Sequence, residues 1–183
     1  ALSATAWLQI AIGMAIAMLA GIFPVRIPRS KNSFAAGEVF IFLLLLIHGP
    51  AAAVLAAAGE GAIGSYRTSR RWTSRLISPA MAALAMLLAG SLLHTLLGAA
   101  GATGNASAAL LILATMACAL LYFLANALMV TTVPRLKRGE RIQLSDLFDV
   151  FGWVGIAYAG SAAVSALLYL AYLTSGIGVL MAI

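Results

Sequence analysis

All eleven Lys and Arg residues of this chain fall in three short clusters, and the stretches between the clusters are apolar. The clusters are Arg26/Arg29/Lys31, Arg67/Arg70/Arg71/Arg75 and Arg135/Lys137/Arg138/Arg141. Basic residues that flank membrane spans stay on the cytoplasmic side. With three basic loops on one side, each interval between them must hold an even number of crossings. A hydropathy pattern thereby becomes a topology.

The totals agree with a membrane chain. Of 183 residues, 63% are hydrophobic and 9% charged, with a mean hydropathy of +1.06. A soluble domain carries roughly 25% charged residues, so this composition excludes a water-covered globule. A net charge of +6 in a soluble protein would point to nucleic acid. Here the cations are topology determinants and partners for anionic lipid headgroups, and nucleic acid is not an expected partner. The lone Cys118 lies within an apolar stretch, which excludes an intrachain disulfide and suits a small packing residue. Residues 5–23 have no basic region before them, as a secretory signal would, and positive charge follows at Arg26. They read as a retained first helix with its N-terminus outside.

That first span covers about Thr5–Phe23 and ends at Pro24 and Pro28. Within it Gly13, Ala17 and Gly21 recur every four residues, a small-residue face that permits close helix contact. Ser33 is the expected N-cap of the next helix. The following stretch, 34–65, is interrupted by Gly49-Pro50. One bent helix would put the second basic cluster outside, whereas a hairpin of two short helices, 34–48 and 51–65, returns it inside. Gly-Pro is a strong helix breaker, and charge favours the hairpin. Each arm would be ~22 Å long at 1.5 Å per residue, short for a hydrocarbon core of ~30 Å.

A fourth span is expected from a Ser78 cap and Pro79 at the first helical position to about Leu97. The uncharged 98–107 linker suits an outer loop. A fifth span is expected over 108–133, stopped by Pro134, and a sixth from a Ser145 cap to about Tyr172, with Asp146 favourable at its N-terminus. Thr174-Ser175-Gly176 then reads as an outer turn, and 177–183, too short to cross a bilayer, either ends in the interface or begins a seventh span. The expected fold is therefore all-α: one polytopic transmembrane domain over 1–183, with six spans and a broken-helix hairpin.

Ionisable groups inside membrane spans are functional-site candidates by default. Here they are Glu38, Glu60, His48 and His94, joined by the amide of Asn126. A hairpin sets Glu38 and Glu60 at similar depth near the cytoplasmic end, with Asn126 on the same inner half. Such a polar pocket could bind a cationic ligand or exchange a proton. The plainer expectation is that each carboxylate pairs with an Arg of a basic loop and anchors the hairpin. His48 and His94 share the opposite, outer depth, but a zinc site wants three or four ligands and no third is in prospect there. No metal or cofactor is expected. Trp72, Trp153, Tyr66 and Tyr158 read as an aromatic belt at the inner boundary, and Tyr169 and Tyr172 at the outer one. Met14, Met18, Met81 and Met86 read as core filler. The sequence holds no phosphate loop, HExxH, CxxC or GxSxG, and no catalytic role is expected. Asn105-Ala106-Ser107 matches a glycosylation acceptor by pattern only.

Four stretches together resemble a known family. They are Ser33-Phe34-Ala35-Ala36-Gly37-Glu38-Val39-Phe40-Ile41-Phe42, the turn Leu45-Leu46-Ile47-His48-Gly49-Pro50, the Arg-rich loop after Tyr66, and Tyr122-Phe123-Leu124-Ala125-Asn126 with the basic and acidic-aromatic segments up to Trp153. Over residues 5–175 this is similar to the multi-span N-terminal membrane domain of bacterial cyclic-di-GMP signalling proteins, which carry GGDEF or HD-GYP output domains after it. That family has an acidic residue after Gly and a run ending in Leu-Phe-Gly-Pro. Glu38, Gly49 and Pro50 match, while His48 stands where Phe is usual, so no role carries over to His48. Tyr122 and Asn126 match the family's Tyr-Phe-Leu-x-Asn pattern. The hairpin is also distantly similar to substrate-binding membrane components of energy-coupling-factor vitamin transporters. The resemblance implies a sensory input domain in the bacterial inner membrane, relaying an unidentified small ligand or membrane signal to a cytoplasmic output domain. The alternatives are a small-molecule uptake component and a non-catalytic subunit of a larger membrane complex, with Gly13/Ala17/Gly21 as its seam. Lipids and a second copy of the chain are the other expected partners.

Overall fold

The computed structural model describes residues 3–22, 25–26, 33–34, 37–99, 108–139 and 145–175. Their helices are α1 (Ala4–Ile22), α2 (Glu38–His48), α3 (Pro50–Thr68), α4 (Trp72–Ala99), α5 (Ala108–Arg138) and α6 (Ser145–Ser175). Two short strands, β1 (Val25–Arg26) and β2 (Ser33–Phe34), pair antiparallel between α1 and α2, with Val25 opposite Phe34. The architecture is all-helical apart from this ladder. Among the described residues four segments are long and apolar enough to cross a membrane: Ala4–Ile22, Trp72–Gly98, Ala108–Val133 and Val154–Ser175.

The helices close on one another. Neighbours in sequence pack from α2 through α6, α6 returns to α2, and α1 lies against both α2 and α3. Of the described residues, alanine is the commonest buried apolar one, set among larger side chains such as Ile41, Phe42 and Met86. Ala53, Ala56, Ala85, Ala119, Ala162 and Ala166 are buried, while Leu8, Leu19, Leu88, Leu96, Leu113 and Leu167 are exposed. Lipid tails are as apolar as leucine, so a membrane bundle gains from close backbone approach rather than from hiding large side chains.

The helix break falls at Gly49-Pro50 as the sequence predicts. Gly49 has φ 84° and ψ −175°, in the left-handed region open to glycine, and its N–H bonds the Leu45 carbonyl at 3.0 Å. Pro50 then opens α3, where the missing N–H costs nothing. The hairpin arms are shifted, however. Ser33 and Phe34 lie in β2 rather than in a helix, and the N-cap position of α2 is Gly37, without a side-chain cap. At its far end α3 runs on to Thr68.

Both prolines expected at helix ends lie inside helices. Helix α4 starts at Trp72, so Pro79 falls within it. Ser69, not Ser78, organises its start: the Ser69 hydroxyl accepts the Arg71 N–H at 3.2 Å, and its carbonyl accepts Arg75 Nε at 2.9 Å. Pro134 does not stop α5, which continues to Arg138. Membrane helices tolerate proline where neighbouring helices cover the disturbed turn, and Pro79 packs directly on Gly61 of α3. The Thr174-Ser175 turn is likewise helical, as the end of α6. The Gly176–Ile183 segment and the 100–107 linker lie outside the described residues.

Candidate functional site

Gly49 lies midway in sequence between Glu38 and Glu60. Folding the chain back there brings both to one depth, Glu38 at the first turn of α2 and Glu60 in α3. Both are buried, at 3% and 9% relative exposure. Their neighbours are mostly backbone. Glycine at 37 leaves room for Glu60: a Cβ there would stand 2.9 Å from Glu60 Cδ and 2.8 Å from the Ala17 carbonyl, and one at Gly21 would be a tight fit at 3.2 Å from Glu60 Cγ. Gly13 packs equally closely on Leu44. The Gly13/Ala17/Gly21 face thus packs on α2 and α3 of its own chain.

Two tyrosines complete the layer from the other side of the bundle. Tyr158 of α6 hydrogen-bonds the Glu38 carboxylate. Tyr122 of α5 lies within electrostatic reach of both acids. Its ring stands edge-on to Phe42 at 6.1 Å and 5.8 Å from Tyr158, which also packs on Phe123 at 5.1 Å. Ser165 fixes α6 against α2, donating to the Val39 carbonyl at 2.7 Å. Five of the six helices therefore meet at the two acids.

Among the described residues the expected anchoring ion pairs are not formed. Glu38 Oε2 and Glu60 Oε1 are buried without a hydrogen-bond partner. Two arginines of the second basic cluster are engaged elsewhere: Arg67, at the end of α3, donates to the Ile22 carbonyl at the end of α1, and Arg75, in the first turn of α4, lies over the Tyr66 ring at 4.2 Å and near the Trp72 ring at 6.0 Å. They cap a helix end and stack on exposed aromatics, roles open to a guanidinium that stays near water.

The remaining candidates stand apart. Asn126, half-buried, lies one turn along α5 from Tyr122, and no hydrogen bond joins it to either carboxylate. His48 is half-buried at the end of α2 and His94 is exposed on α4. Gly90, one turn before His94, packs on Leu45 and Pro50, so the two histidines share the hairpin-tip end of the bundle, away from the acids. Among the described residues no three His, Cys, Asp or Glu side chains gather into a metal-binding group. Tyr158 does not belong to an interfacial belt, because it is buried in the layer. Its neighbours in sequence held the clue: Gly155, Ala162, Ser165 and Ala166 recur at helical spacing around it and mark a buried face.

Chemically the layer offers two buried, unpartnered carboxylate oxygens and a phenol donor. It is complementary to positive charge. No protein-family model matches the chain, and neither curated proteins nor solved structures show a significant similarity to it.

Proposed function

We propose that this chain is a membrane-embedded input module, and that the Glu38/Glu60 layer is the site at which a signal enters. The observation that carries this reading is the pair of buried carboxylate oxygens without partners, where five helices converge. A ligand shifts a conformational equilibrium only through differential affinity for its two states. A charge bound here touches α2 and α3 directly and α6 through Tyr158, so it biases the packing of the whole bundle. The resemblance to the membrane domains of cyclic-di-GMP signalling proteins supports the same reading, with the output domain on the cytoplasmic side. Small-molecule uptake needs an outer-facing pocket, whereas the unpartnered carboxylate oxygens lie at the end of the hairpin away from its tip.

The orientation that goes with this reading has four crossings and the two arms of the α2–α3 hairpin in the bacterial inner membrane. The N-terminus is outside, and the three basic clusters are inside. Reporter fusions at Gly101 should then signal outside and those at Gly139 inside; opposite signals would remove this orientation. The function is tested in cells expressing the full-length gene product. Glu60→Gln should reach the membrane at wild-type levels yet change cellular cyclic-di-GMP several-fold less on stimulation. An unchanged response at equal accumulation would reject the input site.

A further inference from the structure

The ligand class of the same site follows from its charge and its size. No described element packed against the acids supplies a counter-charge. Helix α1 offers Ala17 and Gly21, α2 and α3 offer only the acids, and α5 and α6 offer Tyr122 and Tyr158. None is a cation, and Arg67 is held by the Ile22 carbonyl. Each carboxylate keeps one buried oxygen without a hydrogen-bond partner, which is costly, so the layer calls for positive charge from outside the described residues. Glu60 is closely enclosed on the side of α1: a single added carbon at Gly37 would stand 2.9 Å from Glu60 Cδ and 2.8 Å from the Ala17 carbonyl. Such packing favours a small cation over a bulky organic one.

We propose that Glu38 and Glu60 together bind one small monovalent cation, a proton or a dehydrated alkali-metal ion, with Tyr158 holding Glu38 in position. The proposal rests on the reading of this layer as the input site for its signalling consequence. With the cation bound, the two like charges of α2 and α3 are bridged and the hairpin closes on α6. With the cation gone, the carboxylates repel across the hairpin and the Tyr158 contact loosens.

The test uses the full chain in nanodiscs of zwitterionic lipid, followed by infrared difference spectroscopy and tyrosine fluorescence. In one arm NaCl or KCl replaces N-methylglucamine chloride at constant pH and ionic strength. In the other, pH is varied without alkali ions. A saturable shift of the carboxylate stretches in the first arm identifies an alkali ion, and growth of a protonated carboxyl band in the second identifies a proton. Either signal should vanish in the Glu38→Gln/Glu60→Gln variant and persist in Glu140→Gln. Tyr158→Phe keeps the ring and should move the midpoint several-fold, a check that holds even if the double variant fails to assemble. Carboxylate bands indifferent to both arms overturn the proposal. If they are indifferent while Glu60→Gln still abolishes the cyclic-di-GMP response, the input site stands and this ligand class is wrong. A cation signal with an unaltered response keeps the cation site and removes the input reading.

Discussion

Helices α1 and α2 are both strongly apolar, yet the bundle uses them in opposite ways. Helix α1 has 19 residues, enough to span, and buries only Ile10, Ala17 and Gly21. Its large side chains, Trp7, Leu8, Ile12 and Leu19, face outward. Helix α2 has 11 residues, about 16 Å at 1.5 Å per residue, too short for a hydrocarbon core of ~30 Å. It is nonetheless buried along Glu38 and Ile41–Leu45. Hydropathy alone does not separate the two. Length does: a helix too short to reach both interfaces is best surrounded by other helices, and a helix apolar all round is a core helix. Such a position also shelters Glu38, whose charge would be far costlier against lipid.

The largest expected effect tests that contrast directly. Phe42 is fully buried in α2 and meets Tyr122 edge-on. Phe42→Ala opens a cavity, and the cavity term survives even where the unfolded reference lies in lipid, so a loss of about 2–4 kcal/mol is expected. Leu8→Ala on the outward face of α1 should stay within about 0.5 kcal/mol. Equilibrium unfolding in mixed micelles measures both. Similar losses at the two positions would erase the distinction between a core helix and a peripheral one.

A smaller effect tests how α2 is held. The Ser165 hydroxyl lies 2.7 Å from both the Val39 and Ser161 carbonyls. Ser165→Ala removes a cross-helix bond of a kind worth about 0.6 kcal/mol in membranes. Unfolding should register a loss of that order, with α2 amides exchanging faster than those of α4. A uniform change across the bundle would mean that Ser165 acts as packing volume rather than as a tether.

The parts of this arrangement that were legible in the sequence are those set by single residues with unambiguous physics. Gly49-Pro50 breaks a helix wherever it occurs, and the midpoint of a hairpin fixes which residues share a depth. That was enough to bring Glu38 and Glu60 together. What was not legible depended on partners distant in the chain. Pro79 and Pro134 looked like boundaries because helix ends and tolerated interior prolines have the same local signature; Gly61 opposite Pro79 decides between them. The fate of Arg67 turned on an open carbonyl at Ile22, some forty-five residues away. Tyr158 looked interfacial because tyrosine usually is, and only the small residues flanking it on one face of α6 told otherwise. The β1–β2 ladder has no signature beyond Val25 and Phe34 at its ends.

The smallest expected effect concerns the tether of α1. This helix has little buried surface, and its last carbonyls have few partners among the described residues. Arg67 answers one of them by donating from α3 to the Ile22 carbonyl. Arg67 is exposed, so water and salt weaken the bond, and its contribution to global stability should be no more than about 0.5 kcal/mol. Its local effect should be larger than that figure suggests, because helix ends fray independently of the core. In Arg67→Gln the last turn of α1, Leu19–Ile22, should exchange its amides several-fold faster, with α2 unchanged. If α2 and the Glu38/Glu60 layer loosened as well, α1 would be part of the core rather than its lipid-facing cover, and the contrast between the two helices would fail.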